Sequence, residues 1–259
     1  MRVRLREGRS ELAGKSAYLA ALSIPVLIIA AIGHRSNLID ATSTYGIIAL
    51  GFSLAALAVV AALAAFVGIW RDGRMGIGAA VRGLVVGLAV LVMPALGAWD
   101  IVTEPRLTDI STDLADPPRF VEAVLDRGPA DAAIVDPGAI EAALQAEAYP
   151  DIVPRHYPVS VARVYLEAKV IVDRRGWRIL VANEPTDQSP AGTIEAVAQT
   201  LIFAFRQDVL IRVAPDGDGS RVDMRSAARN AAHDLGADAA RVRRFFADLD
   251  SALAGVSGQ

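Results

Sequence analysis

Nine polar residues of this 259-residue chain are candidates for binding a ligand or for acid–base catalysis. They fall into two groups that are far apart in sequence. The first group is a run of acids and hydroxyls before residue 114, and the second contains two arginines after residue 222. Paired carboxylates can act as general acid and base, and the planar guanidinium of arginine binds carboxylate or phosphate through two donors at once. The candidates are Asp109, Ser111, Thr112, Asp113, Asp223, Arg225, Ser226, Arg229 and Asp234.

These residues support three interpretations. In the first, Arg225 and Arg229 bind the anionic head of a ligand. In the second, the same arginines pair with acids inside the domain, and aspartates cap turns and helices. In the third, Asp109 or Asp113 works with Asp223 as acid and base in a hydrolase or transferase. The catalytic residues stay unknown, and the pattern favours a binding protein over an enzyme.

The sequence lacks the common nucleophile, metal and cofactor patterns. It contains no cysteine, which removes thiol nucleophiles, thiolate-bound metals and disulfides. His156 and His233 are far apart in sequence and lack the spacing of metal ligands. There is no Gly-x-Ser-x-Gly, phosphate-loop or dinucleotide-binding motif. The sequence therefore predicts no metal and no cofactor.

The second half of the chain has the periodicities of an α+β domain. Asp116, before two prolines, is the predicted N-cap of a first helix, and Asp234 is predicted to begin a long terminal helix. Other helices are predicted over 138–148 and 160–175, and strands over 177–182, 193–205, 208–214 and 221–227. This order predicts an α+β fold with a mainly antiparallel sheet packed by helices, including a long C-terminal helix.

The strand over 221–227 alternates in character, with Val222 and Met224 on one side and Asp223 and Arg225 on the other. A turn-forming cluster precedes it at 215–220, so it is predicted to form a hairpin with the strand before it. One face of that hairpin is expected to be apolar and the other charged.

Three apolar runs, at about 17–33, 47–70 and 77–99, are each long enough to be read as transmembrane helices. Hydrophobic residues make up 53% of the chain. Residues 1–98 carry nine basic and four acidic residues, whereas residues 99–259 carry 17 and 25. Such an uneven chain is neither a single soluble domain nor a disordered chain, and its acidic half excludes nucleic-acid binding driven by net charge.

The first run also resembles the apolar part of a signal peptide, but Gly33-His34-Arg35 is a poor cleavage site and a retained helix is expected. Basic residues set the orientation. If the N-terminus lies in the cytoplasm, seven of the basic residues that flank the helices lie on the cytoplasmic side. Only Arg35 and Arg106 then lie on the other side of the membrane. The prediction is a multi-pass protein of the bacterial inner (plasma) membrane with a periplasmic C-terminal domain. The basic residues placed inside are Arg2, Arg4, Arg6, Arg9, Lys15, Arg71 and Arg74.

Two features within the third run bear on function. Arg82 lies about six residues into the run and is expected to reach the cytoplasmic head groups rather than to line a transport path. Gly83 and Gly87 are spaced for close helix packing. They are expected to pack against a neighbouring helix, with contact between two copies of the chain in a homo-oligomer as the alternative.

The predicted organisation has four parts. Residues 1–99 form the membrane anchor, 100–119 a polar connector and 254–259 a flexible tail. The extramembrane domain extends over 104–253 and overlaps the connector.

The segment Thr108-Asp-Ile-Ser-Thr-Asp113, followed by Pro117-Pro118, resembles the opening of a bacterial family known as domain of unknown function 1499. The resemblance covers roughly residues 104–253 and is most specific in the closing block. The family has no assigned activity, so the resemblance implies a domain type and no reaction. Further similar positions are Tyr149-Pro150, Gly176-Trp177, Ile194-Glu195-Ala196 with Thr200, Asp208-Val209 with Ile211-Arg212, Arg221-Val-Asp-Met-Arg-Ser226, Arg229, Asp234-Leu-Gly236, Arg241 and Arg243.

The leading hypothesis is an inner-membrane protein of the cell envelope whose periplasmic domain binds an anionic envelope ligand or a protein partner. The alternatives are a membrane-anchored hydrolase or transferase acting on envelope lipid or glycan, and a transport-associated subunit. The transport hypothesis ranks last because Arg82 is the sole charge within the three runs.

Overall fold

The computed structural model describes residues 8–230 and 234–254. His233, the basic residues Arg2, Arg4 and Arg6, and positions 255–259 of the predicted tail lie outside the described residues. The chain divides into two compact units. The first contains the chain up to Trp99 together with Ile202–Ala204, and the second contains the remainder.

Three helices account for most of the first unit: α1 (Glu11–Arg35), α2 (Ala41–Asp72) and α3 (Ile77–Thr103), whose last four residues belong to the second unit. Each contains a stretch that is long and apolar enough to cross a membrane, with α3 qualifying over Ile77–Gly97. The three predicted helices are confirmed. Ser10 and Asp40 cap α1 and α2 by accepting hydrogen bonds from Ala13 N and Ser43 N.

Small residues let the three helices approach closely. The hydroxyl of Ser16 in α1 donates to Ala58 O in α2 at 2.8 Å. A Cβ added at Gly83 would overlap the α1 backbone at Ser16, and one added at Gly87 would lie 2.8 Å from Val59 Cγ2 in α2. Both glycines therefore pack within the chain. Their contact with a second copy stays a prediction.

The second unit is a six-stranded sheet with four helices. The strands are β1 (Asp109–Ser111), β2 (Arg155–Tyr157), β3 (Arg178–Asn183), β4 (Gly192–Gln199), β5 (Arg206–Asp216) and β6 (Gly219–Ala228). Their order is β1-β6-β5-β4-β3, β2 pairs with the other end of β6, and every pairing is antiparallel. The helices are α4 (Glu122–Asp126), α5 (Ala139–Ala148), α6 (Val161–Arg174) and α7 (Ala237–Ala254). The predicted α+β class is confirmed.

One face of the sheet forms the main core against α6 and α7. Val209 and Ile211 of β5 and Met224 of β6 are fully buried there, as are Val164 of α6 and Phe245 of α7. Burial of this apolar area drives the packing of both helices on the sheet. The opposite face carries the charged residues of β5 and β6.

The helix predicted after Asp116 is wrong in its start and length, because α4 begins only at Glu122 and has five residues. Asp116 does not cap it. Its N–H donates to Asp113 Oδ1 at 2.9 Å, and its carboxylate accepts from Arg212 at 2.8 Å. These contacts hold the two prolines in a loop.

The strand predicted over 193–205 is also too long. β4 ends at Gln199, and the chain turns over 200–205 with Ala204 at a φ of 57°. Phe205 N donates to Thr200 Oγ1 at 2.9 Å and closes the turn. The β-rich composition of the segment concealed the turn, because strand propensity depends on context.

Candidate functional site

The charged face of the sheet is covered by residues 113–138, which we call the covering segment. Alternation along β6 directs Arg225 toward this face, and register places Asp109 of β1 and Asp208 of β5 on the same face. Arg225 and Asp208 have no exposed surface. The face predicted to be charged is therefore charged, and its central residues Arg225 and Asp208 are shielded from water.

Arg225 is surrounded by acceptors. Its Nε donates to Asp109 Oδ1 at 3.0 Å, and its Nη2 donates to Asp109 Oδ2 at 2.7 Å. Its Nη1 donates to Asp136 Oδ1 and to Pro118 O, both at 3.0 Å. The guanidinium also lies over the Phe120 ring, 5.3 Å from its centroid. All three guanidinium nitrogens are thus used inside the domain.

Arg229, just after β6, is buried in the same way. Its Nε donates to Asp208 Oδ1 at 3.0 Å, and its Nη2 donates to Asp126 Oδ2 at 2.8 Å. Arg127 of the covering segment approaches Asp208 from the other side, with Nε 2.7 Å from Oδ2. Arg178 also donates to Asp126. The hydrogen bond from Arg178 is the main cause that keeps the pKa of Asp126 below its usual value, and the hydrogen bond from Arg229 adds to it.

A second ionic cluster lies farther along the same face. Arg212 and Arg221 both donate to Asp223, with Nε–carboxylate distances of 3.1 Å for each. Both also reach Asp113. Although burial raises the pKa of Asp113, the N–H groups of Asp116 and Ala115 and the charge of Arg221 hold it below its usual value. Asp223 is nearly inaccessible, with its side chain 2% exposed, and this disfavours a role as general base.

Ser226 faces the opposite side of the sheet, toward α7. Its hydroxyl donates to Asp238 Oδ1 at 2.7 Å, and Arg241 Nη1 donates to both Ser226 and Asp238. Asp238 is fully buried and its Oδ2 has no partner among the described residues. Burial raises the pKa of Asp238 to about 6, although Arg241 opposes the shift.

The remaining candidates serve backbone contacts. Asp234 accepts from Asp238 N at 2.7 Å and from Gly236 N at 3.0 Å, at the start of α7. Ser111 donates to Asp113 O at 2.9 Å, and Thr112 Oγ1 accepts from Met224 N at 2.9 Å. These contacts agree with the structural interpretation of these side chains.

The nine candidates do not form one constellation. Asp109 lies opposite Ala227 on β6, four residues from Asp223, which is about 13 Å along a strand. Asp109 is therefore grouped with Arg225, whereas Asp113 is grouped with Asp223. Ser226 and Asp234 lie with Asp238 on the α7 side.

A groove of about 510 Å³ lies between the covering segment and the end of the sheet where Asp109 of β1 pairs with Ala227 of β6. Asp109 is the sole one of the nine candidates among its described lining residues, and burial raises the pKa of its carboxyl although Arg225 opposes the shift. Most of the wall is apolar or small. The lining residues are Arg106, Leu107, Thr108, Asp109, Arg127, Ala132, Ala133, Ile134, Val135, Asp136, Pro137, Gly138, Glu141, Ala227 and Ala228.

No cluster of three or more histidine, aspartate or glutamate side chains suited to a metal ion occurs in residues 8–230 and 234–254. His156 is exposed and its Nδ1 lies 2.5 Å from an oxygen of Asp216. This geometry suits a hydrogen bond at the surface.

The arrangement can be compared with known proteins. A family profile described as protein of unknown function DUF1499 matches residues 109–249, more than half of the chain. The chain belongs to the DUF1499 family. A search of curated proteins gave no match. The match confirms the resemblance inferred from the sequence motifs.

Sequence reasoning missed several residues of this DUF1499 domain that the groove and the network use. Asp208 had a signal, because its alternation within β5 places it on the charged face. Arg106 and Glu141 had none, since only the fold brings them to one groove. Arg127 and Asp238 likewise depend on partners distant in sequence.

Proposed function

We propose that this DUF1499 protein is a membrane-anchored binding protein whose α+β domain takes an amphipathic cell-envelope ligand into the groove beside Asp109. The groove's volume of about 510 Å³ falls within the range of small-molecule sites, roughly 300–1,000 Å³. Its wall combines apolar side chains such as Leu107 and Ile134 with a few charged groups. This combination suits a ligand with an apolar part and a polar head.

Two lining side chains supply the charges for a head group. Arg106 and Glu141 are exposed at the groove, and neither has a hydrogen-bond or ion-pair partner among the residues that the structure describes. Arg106 suits a phosphate or carboxylate, and Glu141 suits an ammonium group. By contrast, the donors of Arg127 are occupied by Asp208 and by backbone carbonyls.

Binding is favoured over catalysis because the carboxylates of the hydrolase hypothesis are engaged. Both oxygens of Asp223 accept from guanidinium groups, and both oxygens of Asp109 accept from Arg225. A general base needs access to a substrate proton. Of these two acids only Asp109 lines the groove, and its charge is neutralised by the arginine behind it.

The binding test uses the full chain purified from membranes into lipid nanodiscs. Native mass spectrometry measures any copurified small molecule in the wild type, in Ala133→Trp, which fills the groove, and in Ala146→Trp on the exposed surface of α5. We expect the wild type and Ala146→Trp to retain a bound species that Ala133→Trp loses. Equal retention in all three, or none in the wild type, would overturn the proposal.

The proposed location is the bacterial inner membrane, with the N-terminus in the cytoplasm and the domain in the periplasm. The unequal distribution of Lys and Arg around three apolar helices supports it. A C-terminal alkaline phosphatase fusion is expected to be active, and a C-terminal green fluorescent protein fusion is expected to be dark. A fluorescent fusion with an inactive phosphatase fusion would reverse the orientation.

A further inference from the structure

The turn between β4 and β5 has the composition of a buried strand although part of it is exposed. Its six residues, 200–205, include a leucine, an isoleucine and two phenylalanines, whereas turns are normally polar. Leu201 is 88% exposed and Ile202 is 50% exposed. Thr200 N donates to Phe205 O at 2.9 Å and Phe205 N donates to Thr200 Oγ1, so hydrogen bonds close the turn that presents these side chains.

Strand register places this turn at the end of the sheet where the chain enters from α3. Four paired residues form one row across the sheet at this end. They are Asp109, the first residue of β1, Ala227 of β6, Asp208 of β5 and Val197 of β4. β4 ends two residues past this row and β5 begins two residues before it. The β5–β6 turn, which contains Asp218, lies at the opposite end.

The connection between α3 and this end of the sheet is short. The apolar span ends at Gly97, and the six further residues of α3 rise about 9 Å. Residues 104–108 then lead to Asp109, and five residues extend at most about 18 Å. The connection therefore allows at most about 27 Å between the end of the apolar span and Asp109.

We propose that the β4–β5 turn inserts Leu201 and Ile202 into the interface of that bilayer and docks the sheet on the membrane surface. The inference rests on the membrane anchorage proposed above, but not on the groove ligand or on the side of the membrane. A lipid surface is favoured over a protein partner, because two side chains make too small a patch for a stable protein interface of about 800 Å² per partner. The short connection also brings lipid within reach of the turn.

The test uses the absence of cysteine from the natural chain. Full-length Leu201→Cys is labelled with an environment-sensitive fluorophore and placed in nanodiscs of phosphatidylethanolamine and phosphatidylglycerol, with or without spin-labelled lipid as quencher. Asp218→Cys is the matched control at the opposite end of the sheet, and Val60→Cys, on the exposed surface of α2, reports insertion of the anchor. We expect quenching of at least twofold at positions 60 and 201 and none at 218.

The outcomes separate the two proposals. No quenching at Val60→Cys would overturn the membrane anchor and this inference with it. Quenching at Val60→Cys without quenching at Leu201→Cys would overturn this inference alone, and so would equal quenching at Leu201→Cys and Asp218→Cys. If Leu201→Cys is protected from an aqueous quencher only in native membranes, a protein covers the turn. That result would also overturn the proposed insertion into lipid.

Discussion

Arg229 and Asp208 form a fully buried ion pair, in which Nε and Nη2 of the arginine both donate to Oδ1 of the aspartate and neither side chain has exposed surface. The pair joins β5 to the residue that follows β6, and Arg127 and Asp126 connect it to the covering segment. Because Arg127 and Arg229 both contact Asp208, its charge is compensated from two sides. The covering segment is therefore attached to the sheet through a network of charges centred on a fully buried ion pair.

Breaking this pair from one side is expected to destabilise the domain strongly. Asp208→Asn or Arg229→Met leaves an uncompensated charge in the interior, which typically costs about 3–5 kcal/mol. Thermal unfolding of the full chain in detergent micelles is the measurement, and the melting temperature should fall by ~10 °C, as expected for a domain of this size. The control is Arg163→Met, which removes an exposed ion pair with Glu167 and should change the melting temperature by only ~1–3 °C.

The double variant tests whether the two residues act together. Asp208→Asn with Arg229→Met should lose clearly less than the sum of the single losses, because the two residues share one interaction. Strict additivity would show that the observed contact contributes no coupling energy.

Asp238 should make the domain more stable at mildly acidic pH. Burial raises its pKa to about 6 in the folded domain, against 3.8 for an ordinary aspartate, so the folded state binds the proton more tightly. This contribution is full below about pH 4 and is lost as the pH rises through 6. The melting temperature should be higher at pH 5 than at pH 7.5. Three acids have a lowered pKa and lose their stabilising contribution only at a pH below about 4, outside the range between pH 5 and pH 7.5. They are Asp113, Asp126 and Asp151.

Asp238→Asn checks the source of this pH dependence. The amide resembles the protonated acid, so the difference in melting temperature between pH 5 and pH 7.5 should shrink. Asp248→Asn, on the same helix but bound to Arg175 near the surface, should leave the difference intact. If both variants keep the wild-type difference, another group is responsible.

Glu195 should control the order of α4. Its two oxygens accept from Val121 N at 2.9 Å and from Ala123 N at 2.8 Å, which are among the unpaired amides that begin this short helix. In Glu195→Ala, hydrogen exchange of the amides over residues 119–126 should rise at least tenfold. Glu184→Ala, at an exposed pair with Lys169, is the control. Unchanged exchange in Glu195→Ala would show that other contacts hold α4.

Arg106 and Glu141 should set the affinity of the groove. Arg106→Gln should reduce the amount of the copurified species measured by native mass spectrometry at least fivefold, because a charge-assisted hydrogen bond to the head group is lost. Arg174→Gln, at an exposed arginine outside the groove, should retain it. Since neither arginine has an ion-pair partner among the described residues, stability should be similar in both variants. Equal retention would remove Arg106 from the proposed site.

The regular elements were largely predictable because their signals are local. The apolar runs identified α1, α2 and α3 by length, and alternation identified the hairpin of β5 and β6 with its charged face. Prediction failed at Asp116, where a contact distant in sequence overrides local propensity, and over 200–205, where a hydrogen-bonded turn interrupts an apolar segment. Arg212 draws Asp116 away from a capping role, and a closed turn replaces a strand whose composition is apolar.

The site shows the same division. Arg225 and Arg229 stood out because they are arginines in an acidic half, and the sequence left open whether they bind a ligand or internal acids. In the structure their donors meet Asp109, Asp136, Asp208 and Asp126, up to 116 residues away in sequence. The groove depends equally on distant residues, since Arg106 and Glu141 carry no motif.

The sequence by itself determined which segments are apolar enough to span a membrane and which strands alternate, because periodicity and composition act over a few neighbouring residues. Its motif residues carried the resemblance to a family. The tertiary structure decided that Arg225, Arg229 and Asp208 on the charged side of the sheet are buried. That outcome depends on the covering segment crossing the sheet with Asp126, Arg127 and Asp136 opposite their partners. Whether a charge is solvated or paired is set by what lies across from it in space, and for Arg225 and Arg229 that is a segment about a hundred residues earlier in the chain.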